Sequence, residues 1–281
     1  MPEIDLFESV FRSAAKTQFV YEKKSYKTIC IVSDLPKDKA DTFEKKTKQF
    51  LSNIIGDDVS WSHLAEGDCK STEDLIEKVE SLKPDLICSY RNLYSDGWKY
   101  PHSLGEHLDV LIQMSSAPVL ILPHPELNIK AENTDSVIGL TDHMEADDTL
   151  INYAISFCQE NATLYLAHVE DDMVFERYIN VISKIPVIDT DLAREKISEK
   201  LLKEATDHME NCDKLIQSEG LKITVEKIAE FGHRLKIFND LIREKNADML
   251  VMHSNDVDQQ AMHGMAYPLA IEFIRTPLLM I

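Results

Sequence analysis

A stretch of this chain occurs twice, and that repeat limits the folds open to it more than any other feature. The last stretch, Asp248 to Ile281, reads DMLVMHSNDVDQQAMHGMAYPLAIEFIRTPLLMI. It opens with an apolar run from Met249 to Met252. A polar loop follows, then a helix-like segment from Gly264 to Ile274, a stop at Thr276-Pro277, and a final apolar run from Leu278. Asp85 to Leu122 has the same order, and Gly105 precedes Pro118 by thirteen residues just as Gly264 precedes Pro277. Upstream, Ala65–Ile87 parallels Ala229–Val251 with one residue of slippage. Two copies of one unit is the simplest account. Buried strand, loop, helix and buried strand are the signature of a parallel sheet covered by helices. The polar loop leaves the carboxyl end of a strand, where open α/β sheets bind ligands.

In order along the chain, residues 1–26 read as an N-terminal extension, with Ile4, Phe7, Val10 and Phe11 at helical spacing. The first copy spans 27–123: a strand at Thr28–Ser33, a helix from Asp38 to Ile55, a strand at Val59–Ala65, a helix at Ser71–Leu82, then the repeated stretch. Ser71 followed by Asp74 resembles a helix N-cap. Residues 124–135 form a polar linker. The second copy spans 136–281, with strands at Ser136–Leu140, Ala162–Val169 and Leu221–Ile228. Its helices are Ala146–Gln159, a long amphipathic one over Asp191–Ser218, and Leu235–Lys245; Asp171–Ile188 is irregular or helical. The first copy is therefore shorter by one strand and one helix. A sheet missing a strand exposes an edge, and the N-terminal extension is a candidate to cover it.

Composition narrows the functions. A formal charge of −19, with no basic run, argues against nucleic acid and against anionic lipid as partners. No apolar run approaches a membrane span, and the N-terminus lacks the pattern of a secretory signal. Five cysteines without a C-x-x-C pair read as reduced thiols in a cytoplasmic protein.

The order of these features resembles the universal stress protein family in its tandem form. The residues that carry the likeness are the strands ending in Asp (VSD at 32–34, LTD at 140–142), LYLAHVED at 164–171, the AEG and AEFG turns, ADMLVMHS at 247–254, and the Pro-then-apolar end of each copy. The resemblance implies two flavodoxin-like (adenine nucleotide alpha hydrolase-like) α/β parallel-sheet domains in tandem, the first shortened, whose last strands pair across a pseudo-twofold axis. Nucleotide-binding members carry G-x2-G-x9-G-[S/T] after the fourth strand, where glycines admit phosphate to backbone amides beside a helix N-terminus. Here His253 and Asp256 take the first two glycine positions and Met265 follows Gly264, in a loop two residues short. In the first copy Tyr90 and Leu93 take them, and Glu106 follows Gly105. Bulky and acidic side chains at a phosphate cradle oppose triphosphate binding. Asp34 and Asp142 match the family's strand-end aspartate, so Asp34, Gly105, Thr141, Asp142, His253, Ser254 and Gly264 are the candidate ligand-binding residues.

Five histidines (His143, His168, His233, His253, His263) fall at strand ends or in the following loops of the second copy. Imidazoles and carboxylates on one rim suit a transition metal, with His143, His253 and His263 as ligands. Scattered rim histidines, with His168 in the core, are the plainer account. No catalytic motif is present: there is no G-x-S-x-G elbow, Walker loop or zinc-hydrolase helix. The acidic stretch Glu145–Asp148 reads as solvated helix-start charge. The sequence thus points to a non-catalytic stress-response module that binds a protein partner or small ligand and needs no cofactor. ATP or AMP binding by the second copy is the runner-up, and a metal at the histidine rim the third reading. The two copies form a pseudo-dimer within the chain, with a homodimer of chains as a further option.

Overall fold

A computed structural model describes residues 19–95, 97, 103–127, 133–141, 147–256, 259–262 and 266–281, with 255–256 and 259–262 described by backbone alone. The helix expected around Ile4, Phe7, Val10 and Phe11 lies outside the described residues.

The alternation of apolar strands and amphipathic helices builds one mixed α/β sheet. Its strands are β1 (Thr28–Val32), β2 (Ser60–Leu64), β3 (Leu86–Tyr90), β4 (Val119–Leu122), β5 (Ser136–Thr141), β6 (Thr163–Asp171), β7 (Thr224–Gly232), β8 (Met249–Met252) and β11 (Leu278–Met280). They run in the order β2-β1-β3-β4-β11-β8-β5-β6-β7. Every neighbouring pair is parallel except β4 with β11, which is antiparallel with Leu279 opposite Leu120. The pairing of final strands implied by the family resemblance is therefore present. Strands β1, β3, β4, β8 and β11 are almost wholly buried, as continuous apolar runs covered by helices should be.

Helices α1 (Lys37–Leu51), α2 (Thr72–Leu82) and α3 (Glu106–Met114) belong to the first half. Helices α4 (Asp148–Ser156), α5 (Asp172–Ile182), α6 (Thr190–Ser218), α7 (Arg234–Glu244) and α8 (Ala266–Glu272) belong to the second. Ser71 caps α2 by accepting the Asp74 amide at 3.2 Å, as its spacing suggested. The segment 171–188, ambiguous in sequence, contains α5.

Two local expectations change. The strand after α1, read from its turn as the counterpart of β7, pairs directly with β1 and so stands where β6 stands beside β5. With a strand fewer, β2 closes directly on the open edge of β1. The extension does not cover the far edge of β2 with its described part. Residues 19–26 run instead along α4: the Val20 amide donates to Asp148 Oδ2 (3.1 Å), the Glu22 amide to Asn152 Oδ1 (3.0 Å), and Asn152 Nδ2 to the Val20 carbonyl (2.9 Å). Asn152 satisfies two strap groups at once, and Phe19 and Tyr26 bury their rings at the ends. Paired backbone groups and buried aromatics make α4 the better partner.

Candidate functional site

Open α/β sheets bind ligands where the strand order reverses, outside the carboxyl ends of the strands. This sheet reverses between β1 and β3 in the first half, and between β5 and β8 in the second.

At the first reversal, Asp34 follows β1 and Tyr90 ends β3. Tyr90 is fully buried. Its hydroxyl donates to Asp34 Oδ1 and accepts the Asp34 amide at 3.0 Å. The other carboxylate oxygen of Asp34 accepts the Tyr94 amide at 2.7 Å. Phe43 and His124 meet the Tyr90 ring edge-on, with centroids 5.0 and 5.2 Å away. Burial first, and then the bond to Asp34, hold the phenol protonated well above its ordinary range. The chain's own aromatic side chain therefore occupies this crevice.

The loop beyond folds back on itself. Asn92 and Tyr94 adopt positive φ of 60° and 59°. The Asn92 amide donates to the Leu104 carbonyl at 2.6 Å. Gly105 has φ of +94°, and a Cβ there would stand 2.8 Å from Asn92 Cα. The close approach that this glycine permits is made by Asn92.

Sequence reasoning missed Arg91. Its side chain is 3% exposed, and Nη2 donates to the Phe273 carbonyl at 2.9 Å. Nε and Nη1 have no hydrogen-bond partner among the described residues. Burial depresses its pKa to about 9. A lone arginine after a strand carries no sequence signal for this, because its acceptor lies 182 positions away.

Ser33, His63 and Glu44 form a relay with the connectivity of a hydrolase triad. Ser33 Oγ is 2.7 Å from His63 Nε2, and His63 Nδ1 is 3.1 Å from Glu44 Oε2. Ser33 is fully buried, so the hydroxyl has no path to a substrate. The relay ties β1, β2 and α1 together.

At the second reversal, Thr141 ends β5 and is buried. Its hydroxyl donates to the Ala167 carbonyl at 3.4 Å, and its carbonyl accepts from His168 Nδ1 at 3.3 Å. His168 is a buried strand residue whose Nε2 faces Glu170 at 2.9 Å. His253 follows β8, and its Nε2 bonds the Asp147 carboxylate. Asp147 is 4% exposed at the start of α4, so this member of the acidic stretch is a buried partner and not a solvated charge. Nothing in sequence joins two residues 106 positions apart. Ser254 turns inward: its amide (2.8 Å) and hydroxyl (2.9 Å) both donate to the Ile281 carbonyl, closing the end of β11. His233 caps α7, accepting the Lys236 amide at 3.4 Å.

Asp142, His143, His263 and Gly264 lie outside the described residues. Among the described residues, no three His, Cys, Asp or Glu side chains are grouped to hold a metal. The stretch after Ser254, read as a polar loop, contains a two-stranded hairpin of β9 (Asn255–Asp256) and β10 (Gln259–Met262). β10 packs against α3 of the first half. The carboxylate of Asp147 holds the half-exposed His253 ring by one nitrogen, an arrangement suited to hydrogen-bonding a ligand. Burial pushes the Cys30 thiol up to about 11 and Cys212 to about 12, far from the thiolate a nucleophile needs.

The class defined is an α/β protein with the doubly wound, mostly parallel sheet found in universal stress proteins. One solved neighbour is a protein from Pseudomonas aeruginosa UCBPP-PA14, provisionally assigned as a universal stress protein. It is 10% identical over 91% of this chain and 93% of its own, with a TM-score of 0.53. Another, a protein of unknown function from Pseudomonas aeruginosa PAO1, is 11% identical over 91% and 92%, with a TM-score of 0.51. A universal stress protein from Archaeoglobus fulgidus DSM 4304 is 16% identical over 90% and 87%, with a TM-score of 0.48. At these identities the likeness is one of fold. No family profile matches the sequence. No curated protein matches it either. Among the described residues, no helix is long and apolar enough to cross a membrane.

Proposed function

We propose that the chain is a non-catalytic binding and regulatory protein of universal-stress type, descended from a duplicated unit and no longer gripping ATP in that family's usual way. On this reading residues 27–123 are a shortened copy, 124–135 a linker and 136–281 a full copy. The observation that carries it is Tyr90: a buried ring, hydrogen-bonded to the strand-end aspartate, stands in the first crevice where a ligand would lie. The loop that would cradle phosphate there is packed against Asn92 through Gly105. In the second half, Ser254 is committed to Ile281 and His253 to Asp147, which leaves the half-exposed imidazole as the group facing a ligand or partner.

Equilibrium dialysis against ATP, ADP and AMP tests this. The expected result is no binding tighter than ~1 mM for any of the three. A dissociation constant below ~10 μM for ATP would replace the proposal with a nucleotide-binding function.

A further inference from the structure

Three arginines gather around one residue in a chain whose formal charge is −19. Phe273 directly follows α8, and its carbonyl accepts the Thr276 amide at 3.2 Å, tightening the turn into β11. The same carbonyl accepts Arg91 Nη2, from the first half, at 2.9 Å. The Arg243 guanidinium, in the last turn of α7, lies over the Phe273 ring, 5.8 Å from its centroid. Arg275 stands two residues further on, exposed and without an ion-pair partner among the described residues.

Between the end of α7 and this turn lies a cavity of about 380 Å³. That is within the size range of small-molecule sites, roughly 300–1,000 Å³. Ile242, Ala247 and Phe273 give it apolar walls, and Arg243, Arg275 and Thr276 give it donors. Asn246, at a φ of 47°, turns the chain out of α7 and contributes to the wall. The cavity lies at the amino ends of β8 and β11, because Asp248 precedes the one and Thr276 the other. It is therefore on the opposite rim of the second half from Thr141 and His253.

The charge in the lining is unbalanced. Asp248 is its one acidic residue, and Oδ2 is committed to the Asp135 and Ser136 amides at 3.1 and 3.0 Å. Glu272 holds Arg243 Nη2 at 2.7 Å, which leaves Arg275 as the uncompensated cation. Arg91 does not line the cavity. Its buried guanidinium, with Nε and Nη1 unpartnered among the described residues, sets a further positive charge against Phe273, which does.

We propose that this cavity binds a small organic anion, a carboxylate or phosphate head on a compact apolar body, with the head on Arg275 and Thr276 and the body against Phe273 and Ile242. The planar fork of an arginine pairs such a head through two parallel hydrogen bonds. The apolar wall adds burial that a bare inorganic ion cannot use.

The test is a titration of the full-length, nitrogen-15-labelled protein with phenyl phosphate, benzoate and inorganic phosphate, following the backbone amide shifts. The natural chain is compared with Arg275→Gln and with Arg177→Gln, an exposed arginine on α5. The proposal expects saturable shifts at residues 242–248 and 273–276 with phenyl phosphate or benzoate, and the tighter probe names the head. It expects roughly tenfold weaker binding in Arg275→Gln, none of that loss in Arg177→Gln, and roughly tenfold weaker binding of inorganic phosphate than of phenyl phosphate. Absence of saturable shifts at these residues up to about 10 mM of either organic probe would overturn it. So would an unchanged affinity in Arg275→Gln, or inorganic phosphate binding as tightly as the organic probes, because the cavity would then not select the ligand.

Discussion

Replacing Tyr90 with phenylalanine isolates the contact that closes the first crevice. Phe keeps the ring between Phe43 and His124, so the edge contacts at 5.0 and 5.2 Å survive. What is lost is one hydroxyl that donates to the Asp34 carboxylate and accepts the Asp34 amide. A hydrogen bond to a charged group contributes about 1.5–3 kcal/mol, and the amide left without its partner adds to the loss. Asp34 is only half-buried, so water recovers part of this, and about 2 kcal/mol of destabilisation is expected. In guanidinium titration the midpoint should fall with the slope unchanged. Tyr94→Phe is the matched control, because that buried hydroxyl meets the weakly hydrogen-bonding Cys69 thiol and no charged group. Its removal should cost nothing or stabilise slightly. If Tyr90→Phe stayed within ~0.5 kcal/mol of the natural protein, the Tyr90–Asp34 latch would not exist as described.

Other expected outcomes test neighbouring parts of the account. Burial raises the Asp109 pKa from 3.8 to about 6, and Oδ1 is buried without a partner among the described residues. Because the folded pKa is the higher one, Asp109 favours the folded state below pH ~4, and that contribution is lost as pH rises through 6. The rise is equivalent to at most about 3 kcal/mol, and partial exposure of the carboxyl reduces this to roughly 1. Asp109→Asn should therefore match the natural protein near pH 4 and exceed its stability by roughly 1 kcal/mol above pH 6.5. Gly105→Ala, forced to φ of +94° with a Cβ 2.8 Å from Asn92 Cα, should cost about 2 kcal/mol in urea unfolding. Asn152→Ala removes both side-chain bonds to the strap, and should cost about 1–2 kcal/mol while speeding proteolytic cleavage near Val20.

How much of this was legible depended on how local each signal is. The strands were readable because β1, β3, β4, β8 and β11 are short apolar runs between polar loops. The N-cap at Ser71 was readable because donor and acceptor lie three residues apart. The family resemblance implied that the last strands of the two copies pair, and β4 does lie against β11. Position within the sheet was less legible. The turn after β2 matches the turn after β7, yet hydrogen-bonding demand puts β2 beside β1. Helix α5 was ambiguous because its apolar residues face outward, so no buried stripe marked it. The candidate site was readable only as a set of strand ends. The family motif placed Tyr90 where a glycine would be, but its bond to Asp34, the pairing of His253 with Asp147, and the bond from Arg91 to the Phe273 carbonyl all join residues far apart in the chain. The inward turn of Ser254 depends on where β11 ends, which its neighbours in sequence do not reveal.

The most direct test of the central claim is a crystal structure of the full chain grown with millimolar ATP and Mg²⁺. The account predicts that Tyr90 remains buried against Asp34 and that neither strand-reversal crevice holds nucleotide. A triphosphate bound by main-chain nitrogens beside Ser254, or a Tyr90 swung out to admit an adenine ring, would contradict it.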